Sequence, residues 1–288
     1  MNFQPVCIYH KDCSDGTAAA AVFLRRFPEG KTFPFTHGYT KEDAEDFFSV
    51  LKPDTIVYTL DCTILVKECL EKGNTVISLD HHAGIFEEMS AFAKTQPNYT
   101  YIFNNDLSGA TVTWKYFFPD EKIPRWLELV QDTDLWTNKF EESKYFVNWS
   151  YMQTNNPQAL LFLFEKEDAL KECLQKGSFL EDLNQFYIKS FKEKSKPLFL
   201  TYKDYDIPAY NSTFLQSVLA NVLVDSILGV AIIFSVKGDK VRMSVRSTRD
   251  SQVFALEVAQ KFGGGGHRNA AGCEVDFNTF TQLISDKK

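Results

Sequence analysis

The first half of the chain alternates short apolar segments with segments of helical composition, and this alternation limits the possible folds more than any other feature. The apolar segments have the length of buried strands and lie at 6–9, 55–60, 74–79 and 99–103. The segments of helical composition lie at 16–27, 64–72, 110–118 and from residue 85 onward. Strand and helix in repeated alternation predict an α/β fold with a mostly parallel sheet and helices on both faces.

A second unit is expected after a helical segment that runs from about residue 156 to 196 and is rich in leucine, phenylalanine and charged residues. This later part contains a strand-like run at 198–205 and a helix-like run at 215–223. Gly238 and Asp239 then separate two runs of alternating apolar residues, which predicts a β-hairpin. We therefore predict one domain with its helical linker at 1–192 and a smaller α/β domain at 198–288.

Composition and charge restrict the class of protein. With 288 residues, 44% of them hydrophobic and 24% charged, the chain has the balance of a soluble globular protein. The net charge of -7 disfavours binding to long duplex nucleic acid, although carboxylates that bind metal would not repel a phosphate substrate. The six cysteines form no CxxC pair, and no apolar run approaches the roughly 18 residues of a membrane span. We expect a cytoplasmic protein with reduced thiols and no membrane partner.

Four short stretches carry acidic and imidazole side chains at or near predicted strand exits: HKDCSDG at 10–16, LDC at 60–62, DHH at 80–82 and QDTD at 131–134. Because parallel strands end at a common sheet edge, His10, Asp61 and Asp80 are expected close together there. Oxygen and imidazole ligands without thiolates suit Mn²⁺, Mg²⁺ or Fe²⁺, and their number exceeds what one ion needs. The sequence therefore predicts a site for two metal ions.

Each of these stretches also has a purely structural interpretation. Asp61 taken alone would more often cap a helix than bind a metal. One of His81 and His82 would be a core residue if the strand continued through them, and Asp132 with Asp134 would begin a turn. The co-occurrence of all four stretches on one predicted sheet favours the metal site.

A second candidate site is GGGGHRNAAG at 263–272. Glycines allow close approach of an anion to backbone N–H groups, and His267, Arg268 and Asn269 add donors for phosphate or base edges. The alternative is a flexible loop before a strand. Arg242 and Arg246 share one strand face, either as a solvated edge or as phosphate contacts. We favour the second interpretation for Arg246, because two hydroxyl side chains follow it.

With these acidic and imidazole stretches and the glycine-rich stretch, the chain resembles the DHH phosphoesterase superfamily, and its C-terminal part resembles the DHHA1 subgroup. Asp80, His81 and His82 correspond to the motif that names the superfamily, and GGGGHRNAAG to the subgroup signature. The resemblance implies a DHH catalytic domain with two Mn²⁺ ions, with Mg²⁺ or Fe²⁺ as alternatives, a linker helix and a smaller substrate-binding domain.

The resemblance also implies roles for individual residues. The implied metal ligands are His10, Asp12, Asp15, Asp61, His81 and Asp132. Asp61 corresponds to a bridging carboxylate, and Asp80 and His82 to groups that act beside the metals. The implied substrate contacts are Arg246, Gly264, Gly265, Gly266, His267, Arg268 and Asn269.

The first motif departs from the superfamily pattern. Its two acids usually lie two residues apart, whereas Asp12 and Asp15 lie three apart with Cys13 and Ser14 between them. Which of the two acids binds metal is left open. Asp134 is a further, lower-ranked candidate in the fourth stretch.

The reaction implied by the resemblance is hydrolysis of a phosphodiester by a metal-activated water. The acidic first domain favours a dinucleotide or short oligonucleotide, as in the nanoRNases, and a homodimer is left open. Alternatives are a RecJ-like single-strand exonuclease and a catalytically inactive nucleotide sensor. Aromatic residues that could stack bases, although most are expected in the core, are Tyr9, Phe103, Trp114, Trp126 and Trp136.

Overall fold

The computed structural model describes residues 4–36, 38–166, 168–227 and 229–285, without the side chains of His267 and Ser285. The chain divides into two compact units, Met1–Asp182 and Leu183–Lys288. The division falls inside helix α8 (Ala169–Lys194), whereas the sequence analysis places it just after this helix. Each unit has its own sheet and its own hydrophobic core.

Unit 1 contains a five-stranded sheet in the order β2-β1-β3-β4-β5. Its strands are β1 (Val6–His10), β2 (Lys31–Phe35), β3 (Ile56–Leu60), β4 (Thr75–Asp80) and β5 (Tyr99–Phe103). All neighbouring strands run parallel, and β1, β3 and β4 lie side by side. Their carboxyl ends therefore carry His10, Asp61 and Asp80 to one edge, as the strand pattern predicts.

Helices cover both faces of this sheet. They are α1 (Ser14–Arg26), α2 (Lys41–Val50), α3 (Val66–Glu71), α4 (Phe86–Thr95), α5 (Gly109–Phe117), α6 (Arg125–Asp134), α7 (Glu142–Tyr151) and the first part of α8. Alternate residues of β1 enter two different cores: Cys7 and Tyr9 pack with the alanines of α1, while Val6 and Ile8 pack with Phe47 of α2. The α/β fold with helices on both faces is therefore confirmed.

Four elements of unit 1 were not predicted, namely β2, α2, α6 and α7, and the first two carry weak sequence signals. Strand β2 contains Pro34, which removes a backbone donor, and it is tolerated because β2 is an edge strand that pairs only with β1 among the described residues. Helix α2 has few buried residues and begins with a capping box, in which Thr40 Oγ1 accepts from Asp43 N at 3.1 Å.

Unit 2 contains a seven-stranded sheet in the order β10-β11-β9-β8-β7-β6-β12. Its strands are β6 (Leu198–Tyr202), β7 (Tyr205–Asn211), β8 (Val230–Lys237), β9 (Lys240–Ser247), β10 (Gly265–His267), β11 (Ala270–Asp276) and β12 (Ile284–Ser285). All pairs are antiparallel except β7 with β8. The predicted hairpin at Gly238 and Asp239 joins β8 to β9.

Helices also pack on both faces of the second sheet. They are α9 (Gln216–Ile227), α10 (Ala255–Lys261), α11 (Phe277–Leu283) and the end of α8. One core joins Val258 of α10 and Phe280 of α11 to the sheet, and a second joins Phe191 of α8 and Leu219 of α9 to it. Across the described parts of both units, every helix is too short or too polar to cross a bilayer.

Candidate metal centre

Two groups of three potential metal ligands lie at the carboxyl edge of the first sheet. One group is His10, Asp61 and His82, and the other is Asp15, His81 and Asp134. Within each group the ligand atoms lie within 4.8 Å of one another. The histidines come from the ends of β1 and β4, whereas Asp15 and Asp134 lie in the first turn of α1 and the last turn of α6.

Asp61 belongs to the first group and also contacts His81 of the second. Its Oδ2 is 3.4 Å from His10 Nδ1, and its Oδ1 is 3.1 Å from His81 Nε2. The residue follows β3 with a left-handed backbone, φ 56°, which turns its buried side chain towards the cluster. Gly109 leaves room for it, because a Cβ at Gly109 would lie only 2.6 Å from Asp61 Cβ. This position agrees with the bridging role that the resemblance implies.

Asp80 supports the histidine pair and is not itself a member of either ligand group. Its Oδ1 accepts from the backbone N–H of His81 at 2.8 Å and of His82 at 3.3 Å. The same oxygen lies 2.7 Å from His82 Nδ1. A fully buried carboxylate with these contacts fixes the orientation of the His82 ring, as carboxylates behind metal-site histidines do.

The structure distinguishes between the two acids of the first motif. Asp15 is 1% exposed, and its two oxygens accept from the backbone N–H groups of Gly109 at 2.6 Å and Ala110 at 3.1 Å. It therefore also satisfies donors at the start of α5. Asp12 has φ 56° and is exposed, and its Oδ1 accepts from Asn155 Nδ2 at 2.7 Å. Asp12 therefore does not join the cluster, in contrast to the ligand set carried over from the resemblance.

The fourth stretch gives a second correction, because Asp134 lies in the cluster and Asp132 does not. The Oδ1 of Asp132 accepts from Thr137 Oγ1 and Lys139 N, and its Oδ2 accepts from Phe140 N and Ser143 Oγ. These bonds hold the chain between α6 and α7 and, although burial opposes them, lower the pKa of Asp132 to about 2.

The Oδ2 of Asp134 lies instead 3.5 Å from His81 Nε2. Helix α6 extends to residue 134, and side chains two residues apart on a helix point in nearly opposite directions. Only one of Asp132 and Asp134 can therefore face the sheet edge.

Cys13 is a cluster residue that the sequence analysis did not assign to the site. Its Sγ lies 3.5 Å from Asp61 Oδ2. Burial raises the pKa of the Cys13 thiol, and the carboxylates of Asp61 and Asp15 raise it further, so the thiol donates to Asp61. The available signal was its position two residues before Asp15, where the superfamily pattern has an acid.

The electrostatics of the cluster favour a bound cation. Burial and the charge of Asp61 raise the pKa of Asp134 to about 6, and burial, Asp61 and Asp134 raise that of Asp15 well above its ordinary value. Burial by itself would lower the pKa of an imidazole, but contacts with carboxylates raise that of His81 to about 10 and that of His82 to about 9. Like charges held this closely are stabilised by positive charge among them.

The donor set fits divalent cations. Asp134 Oδ2 is buried and receives no hydrogen bond from any described residue, so this oxygen keeps its lone pairs for a ligand. Carboxylate and imidazole groups suit Mn²⁺, Mg²⁺ or Fe²⁺. Metal binding by His10, Asp15, Asp61 and His81 stays a prediction that this geometry supports.

The glycine run of unit 2 is explained first by packing. A Cβ at Gly264 would lie 2.2 Å from Gly272 O, and a Cβ at Gly266 would lie 2.6 Å from Ala270 O. Both glycines therefore allow β10 to lie close against β11. Gly265 has open space where its Cβ would be, so it is the member of this predicted trio at which a ligand can approach the backbone.

The polar residues around this run have different environments. Asn269 Nδ2 donates to Ser247 O, Ser247 Oγ and Thr248 O, and so holds the β10–β11 turn to the end of β9. The guanidinium of Arg268 is exposed and lies 3.9 Å from the centre of the Phe254 ring. Asn269 therefore has a structural role here, and the predicted His267 contact lies outside the described side chains.

Arg246 is largely buried. Its Nη1 donates to Val245 O at 3.0 Å and to Ser244 Oγ at 3.3 Å, while Nε is buried without a hydrogen-bond partner in the described residues. Burial lowers the pKa of this guanidinium. A buried donor with no acceptor is available to a ligand, so phosphate binding by Arg246 stays a prediction.

The aromatic candidates for base stacking divide by exposure. Tyr9, Trp114 and Trp126 are core residues with 2% exposure or less. Phe103 is half-buried and packs against Phe86. Trp136 is 63% exposed and lies two residues beyond Asp134. Of the five, Trp136 has a free ring surface beside the candidate metal centre.

Comparison with known proteins identifies the second unit and the overall fold. Residues 214–287 match the DHHA1 domain family. A protein from Acanthamoeba polyphaga mimivirus is 30% identical over an alignment of 285 residues, which covers 93% of this chain and 66% of that relative's length.

Two solved structures share the fold over 97% of this chain. RecJ from Thermus thermophilus, in complex with Mn²⁺, has a TM-score of 0.57 and 17% identity, with 51% of that chain covered. PggH from Vibrio cholerae, a pGpG-specific phosphodiesterase, has a TM-score of 0.51 and 16% identity, with 96% of that chain covered. At these identities, the likeness establishes a shared fold.

Proposed function

We propose that this chain, whose residues 214–287 match the DHHA1 domain family and whose fold is shared with RecJ and PggH, is a divalent-metal-dependent phosphodiesterase that hydrolyses dinucleotides or short oligonucleotides. The observation that carries this proposal is that Asp61, a member of one three-residue ligand group, also contacts the other group. A carboxylate shared in this way could serve two closely spaced divalent cations.

The residues of the cluster would have separate roles in metal binding and substrate binding. Asp61, Asp15, His10, His81 and Asp134 would hold the cations, which when bound supply Lewis acidity towards a phosphate and its attacking water. The ring of His82 is 30% exposed, against 12% for His81, and is fixed from behind by Asp80. His82 is therefore the histidine placed to donate a hydrogen bond to a substrate phosphate oxygen.

The second unit would supply nucleotide-binding groups of its own. The open backbone at Gly265, the exposed guanidinium of Arg268 and the unpartnered Nε of Arg246 are the groups available there for an anionic or base-like ligand. Anion binding by backbone N–H groups and guanidinium groups is a general mode of phosphate recognition.

A short substrate is favoured over a long single strand. The net charge of -7 gives little general attraction for a polyanion, so affinity has to come from a few local contacts. PggH, which shares the fold, acts on the dinucleotide pGpG. A single-strand exonuclease is the second candidate, because RecJ shares the fold as well. We further propose Mn²⁺ as the working metal, in line with the RecJ complex, and a cytoplasmic location.

The proposal is tested by measuring products from 5′-labelled RNA and DNA of two to about 20 nucleotides, together with cyclic dinucleotides, with Mn²⁺ at two salt concentrations. Asp61→Asn serves as the inactive control, since it removes the shared carboxylate charge. Fast turnover of dimers to pentamers with weak salt dependence is expected. Preference for the longest strands would favour the exonuclease, and absence of turnover with bound nucleotide would favour a sensor.

A further inference from the structure

We propose that Tyr101 is a positioning residue of the candidate centre, whose hydroxyl donates to Asp80 Oδ2 and thereby fixes the ring of His82 through the Asp80 carboxylate. This inference rests on the proposed function and identifies what holds its more exposed histidine. The contacts of Asp80 with the backbone N–H groups of His81 and His82, and with His82 Nδ1, all involve Oδ1. Asp80 Oδ2 is buried and has no hydrogen-bond partner among the described residues. One oxygen of this carboxylate is therefore open to a further donor.

The hydroxyl of Tyr101 is a donor of the required kind. Tyr101 lies in β5, the strand next to β4, which ends at Asp80. Its hydroxyl oxygen is buried and, like Asp80 Oδ2, has no hydrogen-bond partner in the part of the chain that the structure describes. Burial, followed by the charge of Asp80 and the neighbouring Tyr99, raises the pKa of Tyr101, so the hydroxyl keeps its proton. Because buried polar groups are rarely left unpaired, this donor and the Asp80 acceptor complement each other.

The register of the two strands directs Tyr101 towards Asp80. Strands β4 and β5 run parallel, with Tyr99 opposite Val76 and Tyr101 opposite Ser78, and alternate residues of a strand share one face. The hydroxyl of Tyr99 donates to Ser78 Oγ at 3.0 Å, so this ring reaches two residues forward along β4. The ring of Tyr101 is stacked on that of Tyr99, with centres 6.3 Å apart and planes at 23°. The same reach from Tyr101 leads to Asp80.

A bond from Tyr101 would complete the support of His82. With Oδ1 held by two backbone N–H groups and Oδ2 by a hydroxyl, the Asp80 carboxylate could not turn without losing contacts at both oxygens. His82 Nδ1 lies 2.7 Å from Oδ1, and the ring is 30% exposed, so its direction towards a substrate depends on this carboxylate. The bond forms directly or through one ordered water, and either form restrains Asp80.

The hydrogen bond is tested by the stability of the metal-free Tyr101→Phe variant in urea. A buried hydroxyl without a partner can be replaced by hydrogen at no loss of stability, whereas a hydroxyl bonded to a carboxylate cannot. We expect Tyr101→Phe to destabilise the chain, and to do so less in an Asp80→Asn background, where the charge of the acceptor is gone. Tyr99→Phe is the matched control, because its hydroxyl lies on the same face of the same strand and bonds to Ser78. Its effect should be equal in both backgrounds.

The positioning of His82 is tested by NMR of the metal-free full chain with isotope-labelled histidine, in which His82→Gln identifies the signals of this ring. Tyr101→Phe should shift the ring nitrogen signals of His82, and Tyr99→Phe should leave them in place. With Mn²⁺ and a dinucleotide, Tyr101→Phe should lower kcat/KM about 2- to 10-fold, which corresponds to one hydrogen bond. Tyr99→Phe should leave kcat/KM unchanged.

The outcomes separate this inference from the proposed function. Unchanged or increased stability of Tyr101→Phe would overturn the inference. A loss of stability without a shift of the His82 signals would make Tyr101 a purely structural residue and would also overturn it. If Tyr101→Phe shifts the His82 signals but the unmodified chain hydrolyses none of the substrates, the support of His82 by Tyr101 stands and the proposed function fails.

Discussion

Asp132 and Asp134 lie two residues apart on α6 and allow one substitution to be made in two opposite environments. The Asp132 carboxylate accepts four hydrogen bonds, at 2.5, 2.8, 3.1 and 2.6 Å, from the segment between α6 and α7 and from the first turn of α7. The Oδ2 of Asp134 accepts none from the described residues and faces His81. Asparagine at each position therefore distinguishes a structural carboxylate from a metal ligand.

Asp132→Asn should destabilise the protein. The amide replaces one carboxylate oxygen with an NH₂ group, which cannot accept the two bonds that this oxygen received. A hydroxyl donor can turn elsewhere, but a part-buried backbone N–H of Lys139 or Phe140 loses its acceptor. Together with the loss of charge-assisted bonding this costs about 3 kcal/mol. For a unit of 182 residues, that loss lowers Tm by roughly 6–12 °C.

Asp134→Asn should weaken metal binding without destabilising the protein. It removes one negative charge from a cluster where burial and Asp61 already raise the pKa of Asp134, so the metal-free variant should be at least as stable as the unmodified chain. Loss of a direct ligand should weaken Mn²⁺ binding by more than the roughly 10- to 100-fold typical of an outer-shell partner. Asp132→Asn should bind Mn²⁺ with nearly unchanged affinity.

The assay combines urea denaturation of metal-free protein with calorimetric titration of Mn²⁺. A series of denaturation experiments at different pH values tests the direction in which Asp132 changes the stability. The pKa of Asp132 is lowered to about 2 from an unfolded value of about 3.9, so its stabilising contribution is complete above that unfolded value and is lost as the pH falls towards 2. The difference in stability between the unmodified chain and Asp132→Asn should therefore decrease as the pH falls towards 2. If Asp132→Asn lost Mn²⁺ at unchanged stability, the assignment of the two residues would be refuted.

Three further changes probe the surroundings of the cluster and the substrate surface. Gly109→Ala should displace Asp61, because the new Cβ would lie 2.6 Å from Asp61 Cβ. Both Tm and Mn²⁺ content should therefore fall, and unchanged Mn²⁺ content would count against the contact. Asp80→Asn should lower turnover of a dinucleotide roughly 10- to 100-fold at nearly unchanged Mn²⁺ content through loss of His82 orientation, and unaltered turnover would remove Asp80 from this role. Trp136→Ala should raise KM for a dinucleotide at unchanged Mn²⁺ content, because an exposed ring is removed. The increase should correspond to about 1–3 kcal/mol of base stacking. An equal KM would exclude base stacking by this ring.

The sequence predicts the parallel sheet well because its signals are local. The runs that become β1, β3, β4 and β5 are short and apolar, and each is followed by a segment of helical composition. Parallel topology then places the residues at the strand ends together without further information. Edge strand β2 and helix α2 were not predicted, because one contains a proline and the other buries little apolar surface.

Site residues on helices were harder to predict than those at strand ends. The choice between Asp132 and Asp134 depends on where α6 ends, and helix boundaries are set by tertiary contacts. The choice between Asp12 and Asp15 depends on a left-handed turn that Asn155 stabilises from 143 residues away along the chain. Neither contact leaves a local pattern, so motif spacing alone could not decide which acid of the first motif lies in the cluster.

Buried like charges lie together at the carboxyl edge of the first sheet. Asp15, Asp61 and Asp134 hold their carboxylates near one another in a buried position. Holding these charges together costs free energy that packing elsewhere in unit 1 must offset. A cation bound to the same oxygens would recover that cost. The charge distribution of this edge therefore supports the same conclusion as its ligand geometry, without reference to any relative.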